Sequence, residues 1–178
     1  RWRGKGKALV LSVAYGGVVR CLETILGRDR VVVADVPFPG TTRDSILEGL
    51  RRGLESEDVE FAMLDHISSQ PAIDLPVAEM VELCRSKGVA EIAIDGAHGL
   101  GQVESLDVPS LGADWYFTNV HKWAFAPPTA TVHWGRTDEL LLETPHVVPS
   151  WQAHDGLVAS SKWSGTRDYS GFIAVDAA

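Results

Sequence analysis

Short apolar runs alternate along this chain with stretches in which apolar residues recur at helical spacing, and the alternation predicts strands joined by helices. Strands are expected at 7–13, 30–36, 59–65, 91–95, 115–120 and 130–134. The run Glu91-Ile92-Ala93-Ile94-Asp95, bounded by Gly88 and Gly96, reads as a buried strand of a parallel sheet. The aromatic and β-branched run from Asp114 to Val120 reads as another. Helices are expected from about 16 to 26, from a cap in Thr41-Thr42-Arg43-Asp44 to about 54, and from Asp74-Leu75-Pro76 to 87. Asp74 is the expected cap of the third, with Pro76 near its first turn. A short helical or turn segment falls near 105–112. Strands separated by helices imply right-handed crossovers and a three-layer α/β fold around a mostly parallel, doubly wound sheet. Beyond Trp134 the pattern weakens: Pro145, Pro149, Gly156 and Gly165 break 135–166 into loops, a length that is usually functional, before a helix-like run from Phe172 to Ala178.

Composition narrows the possibilities. With 178 residues, 45% hydrophobic and 22% charged, the chain can bury one sizeable core, and it has no repeat, low-complexity tract or internal boundary. Sixteen basic against 24 acidic residues give a net charge of -8, with no basic stripe interleaved with aromatics, so a small molecule is the expected partner and nucleic acid is not. The basic stretch from Arg1 to Lys7 precedes a strand instead of linking one to a helix, which is the wrong context for a phosphate loop. No apolar run approaches the roughly 18 residues of a membrane span, and no signal peptide is visible at Arg1. A soluble protein of a reducing, cytoplasmic compartment is expected, with an organelle left open because the start without Met and the end without a stop signal read as a fragment. Cys21 and Cys84, far from any C-x-x-C spacing, read as buried thiols.

Candidate chemistry gathers at two strand ends. Asp95-Gly96-Ala97-His98 closes one predicted strand, and Asn119-Val120-His121-Lys122 closes another, Lys122 following Asp95 by 27 positions. In open α/β sheets ligands bind beyond the carboxyl ends of strands, so a carboxylate, two imidazoles and a lysine would share one rim. Lys122 is flanked by Trp123, Phe125, Ala126 and Pro127. It either snorkels from a strand end or is held in a partly dry pocket, where burial favours the neutral amine that condenses with an aldehyde. Asp95 either caps the following turn or is a buried anion awaiting a cation, for which a pyridinium nitrogen would serve. His98 and His121 are open to three readings: satisfied core histidines, metal ligands, or donors to a phenolic oxygen and a phosphate. Metal is the weakest of these, because no carboxylate or cysteine stands at ligand spacing from either, and the His154-Asp155 pair is too common a loop pattern to count.

Three ordered motifs carry a resemblance. Asp95-Gly96-Ala97-His98, then Asn119-Val120-His121-Lys122-Trp123 with Ala126-Pro127-Pro128, then Trp163-Ser164-Gly165-Thr166-Arg167-Asp168-Tyr169 together resemble the class V aminotransferase family of fold-type I pyridoxal-phosphate enzymes. The likeness spans essentially the whole chain and is closest to the branch of isopenicillin N epimerase-like proteins and plant-type L-cysteine desulfhydrases. Ala14-Tyr15-Gly16, Leu64-Asp65-His66-Ile67-Ser68-Ser69 and Gly165 to Ser170 favour the desulfhydrase side.

The resemblance implies roles for these positions. Lys122 would hold pyridoxal 5'-phosphate through its amine and carry protons to and from the substrate carbons. Asp95 would pair with the ring nitrogen, His98 would lie beside the phenolic oxygen, and His121 would contact the phosphate. Asn119 stands where many relatives have a phosphate-binding serine. Tyr15 would stack on the ring, or else pack on the following helix as a core aromatic. Thr166 would reach the phosphate bound by a partner subunit, which implies a homodimer with the site at its interface. Arg167 is either a fork for the substrate carboxylate or a structural partner of Asp168. Ser69 is a substrate-side candidate or a strand-end turn. Residues 1–178 would form a partial large domain, with a phosphate-gripping segment upstream and a small domain downstream missing. The implied reaction is α,β-elimination from L-cysteine to hydrogen sulfide, pyruvate and ammonia, a carbon-sulfur lyase activity. Epimerisation and transamination share every residue named, and a truncated, non-catalytic relative is the alternative from another class. Neither cysteine sits in a segment like the mobile loop of true desulfurases, which disfavours sulfur transfer through an enzyme thiol.

Overall fold

Five parallel strands and one antiparallel edge strand make the sheet, in the order β2-β1-β3-β4-β5-β6. The strands are β1 (Lys7–Leu11), β2 (Val31–Ala34), β3 (Val59–Asp65), β4 (Glu91–Asp95), β5 (Trp115–Asn119) and β6 (Thr131–Gly135). A computed structural model describes residues 4–128, 130–143, 152, 154–162, 165–166 and 168–178. The expected mostly parallel α/β sheet is the one observed, with β6 running against β5. The chain leaves β1 for β2, then passes back across β1 to reach β3, so strand order reverses between β1 and β3. Such a reversal sends successive crossovers to opposite faces and opens a crevice at the carboxyl ends.

The two-residue period of the strands sorts their side chains. Leu9, Leu11, Ala62, Leu64, Ile92, Ile94 and Tyr116 point to one face, where they pack with Ile46, Leu50, Met80, Val81 and Cys84 of α2 (Arg43–Ser56) and α3 (Val77–Ser86). Ala8, Phe61, Ala93 and Trp115 point to the other, covered by Leu22 and Leu26 of α1 (Gly16–Leu26) and by Leu140 and Leu141 of α4 (Asp138–Glu143). Full burial of each large aliphatic side chain contributes about 1.5–3 kcal/mol, so the first face carries most of the stability. Asp65, Asp95 and Asn119 share the parity of the second face, at the carboxyl ends of β3, β4 and β5.

At the opposite ends of the strands, Asp114 ties β4 to β5. It is 3% exposed; its Oδ2 accepts from the Ile92 N–H at 2.8 Å and from Arg85 Nη2 at 2.6 Å, and its Oδ1 pairs with Arg136 Nη2 at 2.8 Å.

Several local expectations are corrected. Asp74 does not cap α3: Pro76 occupies that position without a side-chain cap, because residues 66–75 fold back on themselves through an Ile67–Asp74 bridge and the bond from Leu75 N–H to His66 O. Within the expected cap segment Thr41-Thr42-Arg43-Asp44, as the sequence indicates, Thr42 caps α2 and completes a reciprocal pair with Ser45. β1 stops at Leu11, where Ala14 N–H turns back to its carbonyl, and β2 stops at Ala34. Cys84 is buried, but Cys21 is exposed because Leu22 and Leu26 take the sheet-facing side of α1. The stretch read as loops contains α4 and α5 (Leu157–Lys162), and the chain then forms α6 (Ser170–Ile173) and a 3-10 turn over Ala174–Ala177. Among the described residues no helix is long and apolar enough to cross a membrane.

Candidate active site

A cavity of about 540 Å³ lies at the carboxyl ends of β1, β3, β4 and β5, on the α1 face. Tyr15, Ser69, Asp95, His98, Asn119, His121 and Lys122 all line it, with Val18, Met63, Ile67 and Phe117 as apolar wall. Thr166 is exposed and is not part of this lining. Arg167 lies outside the described residues, as do Trp163 and Ser164 of its motif.

Asp95 caps a turn and also lines the cavity. Its Oδ1 accepts the Ala97 N–H at 3.0 Å, capping the turn after β4, and the same side chain faces the cavity. The glycines of this turn have a packing cause. A Cβ on Gly96 would lie 2.1 Å from the Tyr116 ring, and one on Gly99 would lie 2.1 Å from its hydroxyl. Tyr116 is in turn fixed by a 2.9 Å hydrogen bond to His66 Nδ1, so the turn carrying His98 is moulded against β5.

Lys122 is half-buried in a loop that the Ala126 N–H closes onto Val120 O at 3.1 Å, over a small cluster of Val120, Ala126 and Ala130. Its Nζ lies 3.3 Å from His98 Nε2, and Trp123 Nε1 donates to His98 Nδ1 at 3.1 Å. An indole N–H can only donate, so Nδ1 presents a lone pair and a neutral His98 carries its hydrogen on Nε2, toward the lysine nitrogen. Burial and then the charge of Lys122 hold the His98 pKa below its usual value, outweighing the opposite pull of Asp95 and favouring a neutral ring, whose Nε2–H can donate to Lys122 once that amine is itself neutral. Trp123→Phe removes the donor that sets the tautomer, a loss of about 1 kcal/mol or roughly a fivefold change in population. Nitrogen-15 NMR of His98 is expected to change from the Nε2–H form to a mixture; an unchanged spectrum would show that Trp123 is only packing.

Asn119 accepts a 3.1 Å hydrogen bond from Thr131 Oγ1 of β6, and His121 is exposed at the rim. Ser69 is also exposed, just beyond the folded-back segment.

Asp65 was not singled out as a site residue. It is 3% exposed, lines the cavity and stands opposite Asp95 in the β3–β4 register. The available signal was a carboxylate ending an apolar run, the same pattern that marked Asp95. Burial, then the Asp95 charge, raise its pKa to about 7 against the lowering effect of the Tyr15 and Asp65 backbone N–H groups. A carboxyl whose folded pKa exceeds its unfolded value favours folding when protonated. That contribution is complete below about pH 4 and is lost as pH rises through about 7. Stability of the unliganded protein is therefore expected to decline over this window, and Asp65→Asn to flatten the decline. Urea midpoints measured across the window check this; parallel profiles would place the dependence on other groups.

No protein-family profile matches the chain. It is similar to a probable chloroplastic L-cysteine desulfhydrase of Arabidopsis thaliana, 38% identical over 96% of this chain and 38% of that protein. It is also similar to a putative L-cysteine desulfhydrase 1 of Oryza sativa subsp. japonica, 39% identical over 94% of this chain and 36% of that one. The chain thus spans under two fifths of the length of these curated relatives. Among solved structures, a NifS-like protein from Rickettsia africae superposes over 97% of this chain and 44% of its own, with a TM-score of 0.71 at 15% identity, a likeness of fold.

Proposed function

We propose that the chain is a member of the class V aminotransferase family, on the branch of the plant L-cysteine desulfhydrases to which it is similar, and that it is the cofactor-holding part of a pyridoxal-phosphate enzyme that eliminates hydrogen sulfide from L-cysteine. The observation that carries the reading is the meeting of Asp95, His98 and Lys122 in one cavity from separate strand ends. The residues present suit the cofactor. A volume of about 540 Å³ is within the roughly 300–1,000 Å³ of small-molecule sites. Tyr15 and Phe117 stand in the lining with a lysine and a carboxylate, and Asp65 leaves a buried carboxyl oxygen without a hydrogen-bond partner among the described residues.

Lys122 would hold the group through its amine, Asp95 would face the ring nitrogen, His98 the phenolic oxygen, and His121 and Asn119 the phosphate. When bound, the cofactor supplies an electron-withdrawing ring for charge that develops at the substrate α-carbon. The Lys122 amine would also serve as the base that removes the α-proton, and thiolate would depart from the β-carbon. His98, with Nε2–H directed at the lysine nitrogen, orients that amine. Cysteine and water give hydrogen sulfide, pyruvate and ammonia. Ser69 and Arg167 are the proposed substrate contacts. Thr166, outside the cavity lining, would act on the phosphate of a partner copy, so the assembly proposed is a homodimer. In this reading residues 1–178 are the large-domain portion of a longer subunit that acts in the cytoplasm or an organelle.

The test is assay of the full-length protein, loaded with cofactor, on L-cysteine. Sulfide and pyruvate in equal amounts support the reading. Inversion of an amino acid α-carbon without either product would replace elimination by epimerisation.

A further inference from the structure

Asp65 has no part in the reaction just described, yet it is built into the same floor. Register places it beside Asp95 on the adjacent parallel strand, about 5 Å away along the sheet. Both side chains line the cavity, Asp65 is 3% exposed, and its Oδ2 has no hydrogen-bond partner among the described residues. A buried carboxyl set beside a second carboxylate keeps its proton unless a cation joins the two.

Building on the cofactor reading, we propose that Asp65 and Asp95 form a coupled carboxyl pair, Asp65 keeping a proton in the unliganded site and giving it up when a protonated ring nitrogen settles against Asp95. The O–H bond of Asp65 breaks, the proton passes to solvent, and the second negative charge of the pair is balanced by the positive ring.

The ionisable surroundings of Asp65 support this. Asp95 faces it from β4 and Tyr15 from the turn after β1, and the Tyr15 backbone N–H acts on the Asp65 carboxyl to lower its pKa. His66, the next residue, is engaged with Tyr116 of β5. His98, His121 and Lys122 lie across the same cavity. Of these charges Asp95 is the one that acts on Asp65, and it acts together with burial to raise the pKa to about 7. The arrangement therefore holds one proton to spare near neutrality.

The experiment is calorimetric titration of the full-length apo-protein with pyridoxine 5'-phosphate, which has the ring and phosphate but no aldehyde for Lys122. Runs at about pH 6, in buffers of different ionisation enthalpy, count protons exchanged on binding. Wild type is expected to release close to one proton per site more than Asp65→Asn, and equal counts overturn the inference. Infrared difference spectra of the wild type alone supply a second arm that does not depend on the variant folding. A protonated-carboxyl band lost on binding supports the pair, and a band that is absent or unchanged overturns it. Failure of both proteins to bind the probe overturns the cofactor reading itself, and the inference with it.

Discussion

Lys122→Ala in the full-length protein is expected to abolish covalent attachment of pyridoxal phosphate and to cut sulfide release from L-cysteine by on the order of a thousandfold, the scale of losing a positioned acid-base group. The fold gives little reason for the variant to fail otherwise. Lys122 is half-buried, and the loop that bears it is held by backbone and by the Val120, Ala126 and Ala130 cluster, none of which the substitution touches. His98 would lose the nitrogen 3.3 Å from its Nε2 but keep its bond from Trp123, so the imidazole should stay in place. Visible absorbance of the dialysed protein and single-turnover sulfide release read the two effects separately. A variant that retained bound cofactor through dialysis and turned over at the wild-type rate would remove Lys122 from the chemistry and leave its contact with His98 as architecture.

Asp114→Ala carries the largest expected cost in stability, about 3–5 kcal/mol. The carboxylate is 4% exposed at its side chain and answers three donors: the Ile92 N–H, Arg85 and Arg136. Removing it leaves a buried backbone donor unpaired between β4 and β5 and strips the counter-charge from two guanidinium groups, of which Arg85 is the less exposed. Arg85 retains long contacts to the carbonyls of Val89, Ala90 and Gly112, too weak to replace a 2.6 Å ion pair. Denaturant unfolding followed by tryptophan fluorescence measures the change, and Asp114→Asn should recover part of it by keeping an acceptor for Ile92. A cost below about 1 kcal/mol for the alanine variant would mean that the strands are held by their ladders and apolar faces alone, with the ion pairs contributing as little as ordinary surface pairs do.

The sequence was most readable where a physical rule acts within a few residues. Apolar runs ending in Asp95 and Asn119 gave strands, strand ends gave a shared rim, and the cavity holds the residues placed there. Thr42 could be read as a cap because its partner Ser45 is three positions away. Contacts made across the fold were not readable in this way. Trp123 meets His98 over 25 positions, and the pairing of Asp65 with Asp95 depends on strand order and register. Asp74 resembled a cap locally, but the bridge to Ile67 claimed its segment. The helix at Asp138–Glu143 did have a local sign that the prolines beyond it obscured: Thr137 Oγ1 accepts the Leu140 N–H at 3.3 Å, just ahead of the acidic first turn. What the leucines of that helix cover, the face of Trp115, was not visible without the sheet.

The alternation of side chains across the sheet makes the site more sensitive to insertions and deletions than to many substitutions. Asp65, Asp95 and Asn119 reach the cavity because each has the right parity along its strand. Deleting one residue within β4 would slip its ladder by one step and turn Asp95 toward α2 and α3, while Ile94 or its neighbour came to the cavity floor. Every chemical group would still be encoded, and the carboxylate of Asp95 would be out of place. Descendants of this gene must therefore keep their residue count within β3, β4 and β5 and in the turns at their carboxyl ends, and can vary in length more freely in the connections at the other end of the sheet.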